Sequence, residues 1–435
     1  MLPIGRSTTP AELAPEPHLH EPRLEDGALA ERFAAVRRRT TALCAPLSAE
    51  DCTVQPMPDA SPAKWHLAHT TWFFEAFVLG GEPFDPAFHF LFNSYYEAFG
   101  PRVERPRRGM LTRPSLDRVY AYRAAIDRRA ADAFAAGALS DDARSWLELG
   151  LHHEQQHQEL ILTDIKYMLG TQPLQPRYLE PGPVGELARG APRAPEPLTW
   201  HAFDGGIVEI GAPEAGFAFD NERPRHRVLL APYRLASRPI ANAEVLAFIA
   251  DGGYRDHRLW LSDGWQVVQA EHWEAPLYWQ RRDGDHALYE LAGLRAVDPG
   301  ETACHLSLFE ADAIARWLGA RLPTEAEWEH AAARAAIHGN FADGGRLHPE
   351  RAAPGLAQLF GDVWEWTASS YSAYPGFRPL GGVLGEYNGK FMSGQNVLRG
   401  GSCLTPAGHI RPSYRNFFPP GARWQMTGVR LASEA

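Results

Sequence analysis

His153 and His157 stand four residues apart in the run HEQQH. On a helix that spacing sends both imidazoles from one face, about 40° apart around the axis, so that they can share one ion. The same face carries Trp146, Leu149, Gly150, Leu160 and Ile161. Rings pointing that way enter an apolar interior, where an unsatisfied polar nitrogen is costly. An earlier run, WHLAH, contains His66 and His69. His69 lies four residues after Trp65 and four before Phe73, which sets it on an inward aromatic stripe and makes it the third candidate ligand. A single buried histidine is ordinarily a core residue bonded to its neighbours; three that converge point to a metal. His66 and His152 are read as outer or surface residues. Three neutral imidazoles leave a divalent ion its full charge and open positions for a thiolate and oxygen together, which suits iron(II), although imidazole serves zinc and nickel as well.

HEQQH is also, letter for letter, the HExxH pattern in which Glu154 would be the general base of a zinc peptidase. So short a pattern arises often by chance. No HExxHxxGxxH extension follows it, and a peptidase would leave the second half of the chain without a task.

The elements that must carry these residues are legible as four helical runs between Leu29 and Leu169: LAERFAAVRRRTTALCA, SPAKWHLAHTTWFFEAFVLG, SLDRVYAYRAAIDRRAADAFAAG and SDDARSWLELGLHHEQQHQELILTDIKYMLG. Ser61 before Pro62, and Ser140 before two aspartates, predict helix starts; Gly80, Gly137 and Gly170 predict stops. A four-helix bundle over residues 25–170, with one long crossing between the second and third helices, is the economical arrangement. Seven prolines fall within residues 171–200, a density that forbids helix and predicts an extended linker over 171–199. Residues 200–435 change texture to short strands (GGIVEIGA, HRVLLAPYRLASRPI, NVLRGGSC, TGVRLA) and two helices (ANAEVLAFIAD, SLFEADAIARWLGA) among glycine- and proline-rich loops. The expected fold class is therefore α+β and multidomain, as 435 residues would suggest.

Composition narrows the function. With 45% hydrophobic and 22% charged residues the chain is neither disordered nor fibrous. Forty-three basic residues against 53 acidic ones, a net charge of -10, argue against nucleic acid as a partner. No 18-residue apolar run and no secretory-type leader are visible, so no membrane partner is expected. Cys44, Cys52, Cys304 and Cys403 form no CxxC pair, which favours a reducing, cytoplasmic location.

Five motifs in the second half, RLPTEAEWEHAA (321–332), GDVWEWTAS (361–369), VLRGGSC (397–403), RPSYRN (411–416) and GVRLA (428–432), resemble the C-type-lectin-like domain of formylglycine-generating enzymes. The helical half, with LAH around His69 and HEQQH, resembles a DinB-like bundle. The pairing in this order resembles the iron-dependent sulfoxide synthases of ergothioneine biosynthesis, and the likeness spans nearly the whole chain. Formylglycine generators hold copper with two cysteines near the RGGS turn; here Cys403 has no second cysteine before Asn416, so that activity is not implied.

The resemblance implies iron(II) held by His69, His153 and His157, with O2 as co-substrate and with hercynine and cysteine or γ-glutamylcysteine joined through a carbon–sulfur bond that is also oxidised to the sulfoxide. Ovothiol-type coupling to histidine is the near alternative, and a non-catalytic lectin-like binding module the distant one. Gln156 and Asn416 would contact hercynine, and Phe417 and Phe418 could offer π faces to its trimethylammonium group. Tyr95 and Tyr96, in NSYY on the long crossing, are the candidate proton donors; Tyr387 stands near the place where some family members carry theirs but is displaced. Arg102, Arg105 and Arg108 are candidate clamps for a substrate carboxylate. Users of γ-glutamylcysteine have an acid where Phe418 stands, so cysteine is the expected sulfur donor.

Overall fold

The computed structural model describes residues 26–96, 100–179, 193–379 and 388–435. It divides into two compact units. The first holds the described residues up to Asp164 together with those of Glu214–Asn221 and Phe377–Lys390; the second holds the remainder from Ile165 onward. The middle of the predicted 171–199 linker, from 180 to 192, lies outside the described residues.

The first unit is built on α1 (Asp26–Cys44), α2 (Ala63–Phe73), a short α3 (Phe88–Phe92), α4 (Leu116–Ala135) and α5 (Asp141–Thr171) as far as Asp164. The four predicted helices are all present, and α2 packs against both α1 and α4. Every residue of α2 is buried, which explains why its sequence lacks a polar face. Beyond Phe73 the helix continues as a π-helical turn, Phe74–Leu79, that ends at Gly80. One carboxylate ties three helices: Glu154 of α5 receives Arg37 of α1 at 3.0 Å and Arg123 of α4 at 2.9 Å, all three buried.

Two expected helix signals work differently. Ser61 does not cap α2. Its amide donates to Asp164 Oδ2 (2.8 Å) and its hydroxyl accepts from Arg108 (2.8 Å), while Pro62 occupies the cap position. Gly170 does not stop α5, which runs to Thr171. A Cβ there would come within 2.6 Å of the Tyr289 ring, so this glycine is required by close packing rather than by a turn. Ser140 does cap α5, accepting the Ala143 amide at 3.2 Å.

The second unit is loop-rich, with small sheets: β1 (Trp200–Phe203), β4 (Tyr233–Pro239) and β12 (Arg430–Glu434) in one; β10 (Asn416–Phe418), β9 (Asn396–Arg399), β8 (Trp364–Ser370) and β11 (Thr427–Gly428) in another; a β2–β3 hairpin (Gly206–Ile210, His226–Leu230); and a meander of β5 (Trp279–Arg282), β6 (Asp285–Glu290) and β7 (Gly293–Ala296). Sheets this small bury little area each, and the unit is cross-braced by buried ions. Arg430 pairs with Glu365 at 2.8 Å, and Glu325 receives both Arg399 and Arg415 at 2.9 Å. The Trp328 indole donates to Glu365 at 2.6 Å. Each of these residues lies in one of the five sequence motifs, so the motifs are chiefly the braces of the fold.

Candidate metal centre

Helices α2 and α5 bring His69, His153 and His157 together. One ring nitrogen from each lies within 4.8 Å of the other two, and all three residues are buried. The outer contacts of two of the rings define which nitrogen faces inward. His69 Nδ1 donates to the Phe92 carbonyl at 2.6 Å, one of the carbonyls left open at the end of α3. Its Nε2 is therefore bare, buried, and without a hydrogen-bond partner among the described residues, a condition that a metal ion satisfies. The ring is stacked between two indoles, Trp65 at 4.5 Å and Trp72 at 5.8 Å between centroids. His157 Nδ1 meets His66 Nδ1 at 2.8 Å, which leaves Nε2 to face the others.

Burial holds all three rings neutral, the form that binds metal. It pushes His153 down to about 3 and, helped by the neighbouring histidines, His69 and His157 well below their ordinary value. A buried set of neutral imidazoles fits a divalent transition metal, and His69, His153 and His157 would hold it. Glu154, the base of the peptidase reading, is not available for that task. Burial would raise its carboxyl, but Arg37 and Arg123 more than offset this and hold it at about 2, with both oxygens engaged in ion pairs.

The other candidates in this unit fall at different depths. Arg108 is buried, its guanidinium 3.4 Å from the Trp65 ring centroid on the indole that also stacks on His69. It donates to the Ser61 and Ser94 hydroxyls at 2.8 and 3.0 Å. Its Nε is buried with no hydrogen-bond partner among the described residues. Arg105 is exposed and Arg102 half-buried. Tyr96 is buried against Trp72 (5.8 Å) and Phe77 (5.2 Å). Tyr95 is half-buried, packs on Tyr96 at 4.9 Å, and has its phenol pushed up by burial. Lys390 lies 4.8 Å over the Tyr95 ring and bonds its carbonyl. Gln156, three residues after His153, is half-buried. Tyr387 lies outside the described residues.

Asn416, Phe417 and Phe418 form β10 in the second unit and are half-exposed. The Asn416 side chain accepts the Phe417 amide at 2.9 Å. Phe417 already stacks one face on Tyr371, with centroids 4.0 Å apart. Phe418 lies edge-on to Trp424 at 5.9 Å.

Of the two readings left open for His66 and His152, outer residues behind the ligands or surface residues, burial excludes the surface, and His66 stands directly behind His157. His66 is 2% exposed and bridges His157 to Asp164, whose Oδ2 lies 3.1 Å from His66 Nε2. The spacing held the signal: Asp164 is seven residues after His157, two turns along the same face of α5. His152 is also buried; it bonds Arg32 at 2.8 Å and stacks on Phe217 at 3.9 Å.

A helical bundle with three converging imidazoles, continued by a loop-rich unit braced by buried arginine–glutamate pairs, defines a two-module architecture with a candidate metal centre in the first module. Residues 32–161 match the DinB superfamily, and residues 195–354 and 348–435 match the sulfatase-modifying factor enzyme 1-like domain. The hercynine oxygenase of Mycobacterium tuberculosis is 34% identical over 436 residues, covering 93% of this chain and 98% of the relative. That of Mycolicibacterium thermoresistibile is 33% identical, covering 86% and 88%. The formylglycine-generating enzyme of Streptomyces coelicolor is 27% identical over 59% of this chain. The chain belongs to the hercynine oxygenase family and is an oxygenase.

Proposed function

We propose that this enzyme joins the thiol of cysteine to hercynine with O2 and oxidises the sulfur, giving hercynylcysteine sulfoxide in ergothioneine biosynthesis. The observation that carries this reading is the buried, neutral histidine trio with the bare Nε2 of His69, in a chain that aligns with hercynine oxygenases along nearly their full length. The stoichiometry is self-contained. One C–H and one S–H are lost as the C–S bond forms, removing two electrons, and oxidation of sulfur removes two more. The four electrons reduce one O2, which supplies the sulfoxide oxygen and one water. No separate reductant is required.

Iron(II) at the trio would supply the one-electron chemistry that lets ground-state O2 react with a thiol. The protein's own groups bind and move protons. Arg108, a buried guanidinium whose hydrogen-bond partners among the described residues are two hydroxyls and which lies on an indole face, suits a carboxylate of the thiol substrate through charge-assisted hydrogen bonds. Gln156 offers an amide that can serve an imidazole in either tautomer. Tyr96, one ring removed from His69 across Trp72, is the favoured proton donor. Its neighbour Tyr95 stays protonated because burial raises its phenol.

The test is oxygen uptake by anaerobically prepared, iron(II)-loaded protein. Uptake is expected with hercynine and cysteine together, and with neither alone, the product carrying one added oxygen by mass spectrometry. γ-Glutamylcysteine in place of cysteine, and histidine in place of hercynine, should turn over more slowly. His153→Ala should abolish uptake. Absence of uptake with every substrate pair would end the proposal.

A further inference from the structure

His157 differs from His69 in what stands behind it. His69 Nδ1 donates to a neutral backbone carbonyl, whereas His157 Nδ1 meets His66 Nδ1 at 2.8 Å and His66 Nε2 meets the Asp164 carboxylate at 3.1 Å. The hydrogens in this chain can be placed by elimination. A carboxylate oxygen only accepts, so His66 Nε2 donates to Asp164. For His157 to ligate through Nε2 its hydrogen must sit on Nδ1, and that N–H is then donated to His66 Nδ1 as the acceptor. His157 is left with its lone pair on Nε2, turned toward His69 and His153. His66 is 2% and Asp164 7% exposed, so solvent does little to dilute the effect of the carboxylate on the two rings.

We propose that His66 and Asp164 form a carboxylate–imidazole relay that fixes the orientation of His157 and makes it a more electron-rich ligand than His69, so raising metal affinity and shaping the electronic structure of the centre. The proposal rests on the reading of the trio as a metal site. His66 and Asp164 are positioning residues: neither belongs to the trio, and Asp164 acts on the electronics of His157 only through His66, while Asp164→Asn keeps an oxygen that can accept the Ser61 amide. Outer partners of this kind typically contribute a factor of 10 to 100 in metal affinity. Asp164 also accepts the Ser61 amide at 2.8 Å, which locks the start of α2 to α5 and fixes the position of His66 along the helix.

The experiment uses cobalt(II) as a spectroscopic probe on the full chain, with affinity read by chelator competition and ligand field by the visible d–d bands. Asp164→Asn, nearly isosteric, should bind cobalt about 10-fold more weakly, and His66→Leu up to about 100-fold more weakly, each with shifted bands. The double variant should bind no more weakly than His66→Leu, because a carboxylate that acts through His66 has nothing left to act on. A merely structural role would make the two losses multiply. If His66→Leu does not fold, the affinity and band shift of Asp164→Asn decide alone. Wild-type affinity and unshifted bands in folded variants, or multiplying losses, would overturn the relay. Failure of the wild-type chain to bind cobalt, or binding undiminished in His153→Ala, would instead overturn the metal reading beneath it.

Discussion

Arg108 is 4% exposed, and a guanidinium remains charged at any depth. Its hydrogen bonds to two serines do not compensate the desolvated charge as a carboxylate would. Replacing it should therefore be felt by a ligand more than by the fold. Arg108→Met is expected to raise KM for the thiol substrate about 10- to 100-fold, the worth of a charge-assisted hydrogen bond of about 1.5–3 kcal/mol, with iron content unchanged. Steady-state kinetics beside metal analysis would check this, and Arg108→Lys should recover part of the loss. Among single residues, the trio was readable because each member sits on a periodic apolar stripe. The partner of His66 was not: a histidine one turn before a ligand has several possible neighbours, and only the packing of α2 on α5 shows that it meets His157. The contact of Lys390 with Tyr95 joins residues almost three hundred positions apart, beyond any local pattern.

At the level of elements, the four long helices were visible from their periodicity, and the departures have steric causes. The π-helical turn after Phe73 has no sequence punctuation. The helical content of the long crossing, α3 among it, was hidden in an aromatic run too short to show a period. Gly150 on α5 is more instructive. A Cβ there would lie 2.6 Å from the Phe74 ring and 3.0 Å from that of Phe73, and Phe73 packs on His153 with centroids 4.8 Å apart. Gly150→Ala should destabilise the bundle by about 1–3 kcal/mol through overpacking and loosen the approach of His153 to His69. Urea unfolding together with cobalt affinity would test both. Glu154 makes the complementary case. Glu154→Gln leaves two buried guanidinium groups without their anion and is expected to cost about 3–5 kcal/mol in the same unfolding assay, the expected outcome for a brace rather than a base.

Across the whole chain both units lean on buried carboxylates held low by their partners, Glu154 in the first and Glu301 in the second, and acid should weaken each. In the second unit Glu301, 3% exposed, is engaged by Arg295 and His348. Burial alone would raise its carboxyl, but those two partners hold it at about 2 against an ordinary 4.5. A depressed acid contributes stability above its unfolded value and loses it as pH falls toward the folded one. Between about pH 4.5 and about 2 the loss should reach the order of 3 kcal/mol. Glu301→Gln should be less stable at neutral pH and flatter across that window, as urea midpoints at a series of pH values would show. The change of texture after residue 200 was legible because strands and prolines replace helical periodicity. That the described residues of Glu214–Asn221 and Phe377–Lys390 belong with the bundle was not, since their partners lie elsewhere in the sequence.

The discontinuity bears on how this protein can be dissected. A fragment cut after α5 would carry every imidazole of the centre yet lack Phe217 over His152, Lys390 over Tyr95, and the hydrogen bond from Asn388 to Asp220. Its boundary in the polypeptide is not its boundary in space. The two halves cannot be exchanged between relatives as interchangeable cassettes: any chimaera must bring both returning segments from the same parent as its helices, or its bundle will be assembled from mismatched parts.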